Sequence, residues 1–160
     1  MFGTLTNEEI EDVLKRQFIC RIGCHADNKT YVVPISYAYD GTYIYCHTQE
    51  GMKIKMMRQN PHICIEIDTL ENMATWKSVI ADGKFEEVSD KDERRKALKV
   101  LLSRVYPFIS SKKMHLGEQW PFAPDDLNEI KGVVFRIALE EKTGRYEMND
   151  EPWYYNSLKG

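Results

Sequence analysis

Residues 30–48, TYVVPISYAYDGTYIYCHT, carry the most restrictive local instruction in this chain. Asp40-Gly41 lies between two runs of β-branched, aromatic and apolar residues, and that dipeptide supplies the positive φ angles a tight two-residue turn requires. Thr30–Tyr39 must therefore fold back antiparallel on Thr42–His47. Phe18–Cys24 has the same strand composition, with Asp27-Asn28 as turn material before Thr30. Three antiparallel strands in hairpin order follow from this stretch alone.

The flanking sequence adds helices and more strands. Thr6, with Glu9 three residues on, is a capping-box signature, and Ile10, Val13 and Leu14 give the apolar stripe of a short amphipathic helix ending near Gln17. Gly51–Gln59 is rich in helix formers and stopped by Asn60-Pro61, which predicts a two-turn helix. His62–Thr69 alternates as a strand. Trp76–Val88 reads as a longer strand bulged at Gly83. Ser89-x-x-Asp92 then caps a helix with Ala97, Leu98, Leu101, Leu102 and Val105 on one face. Residues 106–130 have no clear period, Val133–Leu139 is a last strand with Gly144 beyond its acidic end, and the aromatic, polar tail after Asp150 lacks pattern. About six strands in hairpin order with helices outside them predict a small antiparallel barrel or sandwich. With 160 residues, no repeat and no linker-like stretch, residues 1–160 read as a single domain.

Charge and composition exclude several functions. Lys+Arg number 22 against 25 Asp+Glu, a net charge of −3, so the chain lacks the positive field that carries nucleic-acid affinity. No apolar run approaches the ~20 residues of a membrane span, and the N-terminus MFGTLTNEEIEDVL carries acids where a signal peptide carries bases. The expected compartment is the cytoplasm. Cys20, Cys24, Cys46 and Cys64 then read as free thiols, with Cys20, Cys46 and Cys64 as small core residues. Zinc is the alternative for Cys20, Cys24, His25, His62 and Cys64, but no Cys-x2-Cys pair is present.

The densest chemistry lies in Cys46–Lys53, CHTQEGMK, a strand end passing through a Gly turn into a helix. Backbone N–H groups at a helix start, the Thr48 hydroxyl and the Lys53 ammonium together suit an anion such as a phosphate. The bland alternative is a mere connection, with Lys53, Lys55 and Arg58 on a solvated face. Cys24-His25 and Cys46-His47 are poor nucleophile–base pairs, because successive strand residues face opposite ways. Glu86, Glu87, Asp90, Asp92 and Glu93 crowd a helix start, where the macrodipole stabilises them without any catalytic role. Trp76, Trp120 and Phe122 are core or interface residues on one reading and walls for a planar cofactor on the other.

Taken together, P-x-S-Y, D-G, H-T-x-x-G-x-K, N-P and the strand WKSVIADGKFEEV resemble the pyridoxamine 5′-phosphate oxidase-like, FMN-binding split-barrel family. The likeness spans about residues 18–145, leaves 146–160 as a C-terminal tail, and is greatest to the nitroimidazole-resistance-type branch. It implies a mainly β fold, a six-stranded antiparallel split barrel with flanking helices, forming a homodimer with FMN at the subunit interface. It further implies that Val33, Pro34, Ile35, Ser36 and Tyr37 lie along the isoalloxazine and offer it main-chain groups. His47 and Thr48 would approach the ribityl phosphate, Lys53 would neutralise it, Ser78 would reach the flavin, and Trp120 and Phe122 would close over the ring from the other subunit. No arginine stands near Tyr31–Val32, and the ending EPWYYNSLKG lacks the substrate-holding arginine of vitamin B6 oxidases, so the resemblance does not extend to that activity. It implies instead an FMN-dependent oxidoreductase that passes reducing equivalents to a small aromatic, nitro or quinone-like acceptor. The alternative is a flavin- or haem-binding sensor without turnover on the same scaffold. No residue stands out as a necessary acid or base.

Overall fold

A computed structural model describes residues 1–104, 127–128 and 130–149. In chain order the elements are β1 (Phe2–Thr4), α1 (Asn7–Arg16), β2 (Ile19–Ala26), β3 (Lys29–Ser36), β4 (Ala38–Tyr39), β5 (Tyr43–Thr48), α2 (Met52–Gln59), β6 (His62–Asn72), β7 (Thr75–Glu87), α3 (Lys91–Leu102) and β8 (Val133–Glu147). Every strand pairing is antiparallel. The strands follow the order β3-β2-β6-β7-β8-β5-β4, with β1 added to β8. β3, at one end of this order, and β5, next to last at the other, still approach each other without pairing. Among the described residues the sheet thus curls into a barrel left open along one seam, the split barrel that the family resemblance implies.

Local chemistry explains the elements. Thr6 accepts from the Glu9 N–H at 3.3 Å while the Glu9 carboxylate accepts from the Thr6 N–H at 2.8 Å, which completes the capping box of α1. Ile10, Val13 and Leu14 are its buried face. Asp27 and Asn28 both adopt positive φ between β2 and β3. The next turn is centred one residue later than the sequence suggests. Gly41 takes positive φ, whereas Asp40 stays outside that region and accepts from the N–H groups of Thr42 and Tyr43 at 2.8 and 2.7 Å. The α3 cap is Asp90 rather than Ser89, its carboxylate accepting from the N–H groups of Asp92 and Glu93.

Two strand assignments grow. The β7–β8 register shifts between Ala81 and Gly83, the expected bulge, where a Cβ on Gly83 would lie 2.6 Å from Ile137 Cγ2. The last strand does not end at Leu139 but runs on to Glu147, so Gly144 lies inside it. Its polar second half, EEKTGRYE, is held by pairing with β7 and β1. Strands β1 and β4 are short additions to the six expected.

Alternation along β8 shows why VVFRIAL is apolar on both faces. Val133, Phe135 and Ile137 point into the barrel with Ile22, Ile44, Cys46, Ile54, Met57, Ile65 and Ile67. Val134 faces the other way, into a smaller core beneath α3 with Tyr45, Ala97, Leu98 and Leu101. Among the described residues no helix is long and apolar enough to cross a membrane.

Candidate functional site

The open seam is bordered by β3, which carries Val33–Ser36, and by the end of β5, which carries His47 and Thr48. One lip is β3, which pairs with β2 and has no strand on its other edge among the described residues. Pro34, opposite Arg21, sits mid-strand, and a proline is tolerated there because its missing N–H belongs to the unpaired edge. By the alternation of an antiparallel ladder, the neighbours Val32 and Ser36 turn main-chain groups to that edge as well. Val33 and Ile35 are half-buried and share the inward face of Tyr31, while Pro34 is exposed. Tyr37 differs from the rest. Its side chain is fully buried, its hydroxyl donates to the Leu14 carbonyl at 2.8 Å, its N–H donates to Phe18 and its carbonyl accepts from Arg104 at 2.9 Å. All three of its polar groups serve the fold.

The other lip is the end of β5 and the start of α2. Thr48 shares the inward face of Ile44 and Cys46, whereas His47 turns outward with Tyr45. The two side chains therefore do not converge. His47 Nε2 lies 2.5 Å from the Lys131 carbonyl oxygen, and burial, with Arg94 nearby, holds the imidazole below its ordinary pKa against the opposing effect of that carbonyl.

Beyond Thr48, Gly51 opens α2 with extended backbone and no side-chain cap, and the first turn contains no acid. The N–H groups of that turn have no intrahelical acceptors, and among the described residues a Cβ on Gly51 would meet nothing within 4 Å. Lys53 has no carboxylate within ion-pair distance among the described residues. Its charge lies near the inward-facing thiols of Cys24 and Cys46; burial raises both thiol pKa values, and Lys53 offsets part of that rise. Arg58 is engaged elsewhere. Its guanidinium grips Glu50 at 2.8 and 2.9 Å and both Glu87 oxygens at 2.7 Å, whereas among the described residues neither Lys53 nor Lys55 has a carboxylate partner; of these two Lys53 is half-buried and Lys55 exposed.

A phosphate fits these residues. It would find helix N–H donors, a hydroxyl and an ammonium on one side of the seam, beside the unpaired main-chain edge of β3. Among the described residues no three His, Cys, Asp or Glu side chains gather in a way that could hold a metal ion.

A family model described as pyridoxamine 5′-phosphate oxidase matches residues 6–146. This chain belongs to the pyridoxamine 5′-phosphate oxidase family. An uncharacterized protein of Rhizobium meliloti is 34% identical over 149 residues, covering 88% of this chain and 92% of its own. A structure described as a FAD-binding protein of Mesorhizobium loti superposes with a TM-score of 0.71 at 32% identity, over 92% of this chain and 99% of that one. A candidate 5-nitroimidazole antibiotic resistance protein of Bacteroides thetaiotaomicron has the same fold, with a TM-score of 0.67 at 21% identity over 91% and 87% of the two chains.

The family's remaining expected residues are dispersed. Ser78 lies on the outer face of the sheet, its hydroxyl donating to Glu66 at 2.9 Å beside an Arg21 that grips Glu66 and Asp68 at 2.9 and 2.6 Å. It lies on β7, whereas Lys53 lies on α2, which packs against β2 on the other side of β6. Trp120 and Phe122 lie outside the described residues. Sequence reasoning missed Arg104, which donates to the carbonyls of Lys15 and Tyr37 and stacks 4.4 Å over Phe18. A lone arginine after an amphipathic helix gives no local sign of such a role.

Proposed function

We propose that this chain is an FMN-binding flavoprotein and an oxidoreductase that passes reducing equivalents to a small aromatic, nitro or quinone-like acceptor. The observation that carries the reading is the lip made by Thr48, the uncapped and acid-free start of α2, and Lys53. Both α1 and α3 have capping side chains and acids in their first turns, so their dipoles are already answered. The α2 start has no side-chain cap and no acid in its first turn, Glu50 just before it being held by Arg58, and a flavin phosphate supplies a negative partner there. The FAD-binding description of the Mesorhizobium relative supports the same cofactor class. Bound FMN supplies the electron transfer, while the chain supplies orientation and charge. Lys53 and the α2 N–H groups hold the phosphate, and the unpaired edge at Val33–Ser36 orients the polar rim of the ring.

The reading includes a homodimer. Ile19, Val32, Leu70 and Ile80 stand 51%, 60%, 68% and 48% exposed on the outer face of the sheet, with Ser78 among them. A second copy packed on this face covers those apolar side chains and brings its Ser78 toward a site that one chain cannot reach.

The test is an absorption spectrum of the purified protein before and after adding FMN and desalting, followed by titration of Lys53→Ala. Retained visible flavin bands and a loss of affinity of about ten- to a hundredfold in the variant support the reading, as expected when a charge-assisted contact is removed. Equal FMN affinity in wild type and variant would refute the phosphate site. A protein that holds FAD but not FMN would correct the cofactor, and a Soret band would move the reading to a haem protein. Steady-state oxidation of NADH or NADPH with a nitroaromatic acceptor tests turnover.

A further inference from the structure

Gly132, immediately before β8, has a φ of +95°, a region that side-chain-bearing residues rarely adopt. A Cβ at this position would lie 2.6 Å from the Thr48 carbonyl oxygen, 2.9 Å from His47 Nε2 and 3.3 Å from Gln49 Nε2. The backbone of Gly132 is therefore pressed against the peptide that leads out of β5. The preceding residue is held from the other direction, because His47 Nε2 lies 2.5 Å from the Lys131 carbonyl oxygen. A carbonyl only accepts, so the proton sits on Nε2 and the imidazole donates. Thr48 opposite Val133 is the last rung of the β5–β8 ladder, and the chain turns away immediately afterward.

We propose that His47 and Gly132 form a latch that positions the Thr48–Lys53 cradle for the phosphate, and that both are positioning residues that do not touch it. This inference rests on the cradle reading above. Between β5 and α2 stand only Gln49, Glu50 and Gly51, without regular structure. At the far side of that connection, the Arg58 guanidinium fixes Glu50. On the near side, the direction of the Thr48 peptide depends on how closely residues 131–132 can approach. A side chain at 132 must displace the Thr48 carbonyl or the His47 ring, and either shift moves the Thr48 hydroxyl relative to the α2 N–H groups. His47 turns to the face opposite Thr48, which places its donor on the latch and away from the cradle. The latch therefore governs phosphate recognition while leaving the β3 lip untouched.

The experiment compares FMN with riboflavin, which has the same ring and no phosphate, by fluorescence titration of wild type, Gly132→Ala, His47→Ala, His47→Gln and Lys53→Ala. Gly132→Ala and His47→Ala should each weaken FMN about ten- to a hundredfold while riboflavin affinity stays within about threefold of wild type. His47→Gln keeps an N–H donor of similar reach and should restore FMN affinity to within about threefold of wild type. A general loss of structure would weaken both ligands together, so equal losses overturn the latch, as does FMN affinity unchanged in both Gly132→Ala and His47→Ala. His47→Gln as weak as His47→Ala also overturns it. If Gly132→Ala does not fold, the two His47 variants decide the matter. A Lys53→Ala variant without effect, or a wild type that binds neither flavin, sinks the cradle reading and the latch with it. Lys53→Ala with effect and the latch variants without effect sink the latch alone.

Discussion

Tyr37→Phe separates a structural role from a ligand role inside the strand assigned to the flavin. The change removes one hydroxyl from a side chain with 0% exposure and keeps the ring, so it opens no cavity. What it leaves behind is the Leu14 carbonyl, in the last turn of α1 and now without its donor at 2.8 Å. That carbonyl is one of the orphan acceptors at a helix end; its neighbours are satisfied by the Gln17 N–H at Val13 and by Arg104 at Lys15. Stranding a buried carbonyl costs about 1–3 kcal/mol. At about 2–4 °C per kcal/mol for a chain of this size, Tm should fall by about 2–12 °C in calorimetry or thermal circular dichroism. Flavin affinity should not change, because the hydroxyl points into the fold. An alkaline titration provides a second check. Burial raises the Tyr37 hydroxyl well above its ordinary value of 10.0, so the unfolded chain ionises first. Stability from this group is complete below about pH 10 and is lost as pH rises further. The variant should lose part of that alkaline decline and retain the part due to Tyr39 and Tyr45, which burial also raises. A Tm equal to wild type, or a loss of FMN binding with unchanged Tm, would refute the reasoning.

Gly83→Val places a side chain against Ile137 Cγ2 at 2.6 Å and the Ala138 carbonyl at 3.0 Å, and should destabilise by about 1–3 kcal/mol; a urea midpoint equal to wild type counts against the bulge as a packing requirement. His47 is held below its ordinary pKa of 6.5 chiefly by burial, so stability is complete above about pH 6.5 and declines as pH falls toward the native value. His47→Gln should flatten that limb of the pH–stability curve, and an unaltered limb would assign it to another group. Val32→Asp together with Ile80→Lys should convert a dimer into a monomer in sedimentation velocity without a change in circular dichroism; a persistent dimer would place the interface elsewhere.

What could be read from the sequence was local. The Thr6–Glu9 box, the Asp27-Asn28 turn and the Gly83 bulge each depend on residues within a few positions, and each appears as expected. Ser89 and Asp90 are both good caps one residue apart, and propensity cannot choose between them. The second half of β8 was illegible because EEKTGRYE neither alternates nor carries a β-rich composition; its strand form comes from β7 and β1 on either side. The same divide runs through the site. Lys53 stands out because its glycine and helix start are adjacent in sequence. The opposed faces of His47 and Thr48 emerge only once the strand is placed, and the grip of His47 on Lys131 spans 84 residues.

The β3 edge at the seam, which no strand among the described residues covers, also poses a hazard. An uncovered strand edge is a template on which another chain can add a strand, and repetition of that event leads to aggregates. Pro34 interrupts the template in its middle, since a strand laid along β3 would find no N–H donor at that position. On the proposed function, the residue that leaves the seam open to a flavin would thus also be the one that denies it to a foreign strand, and binding and solubility would be bound together at one side chain.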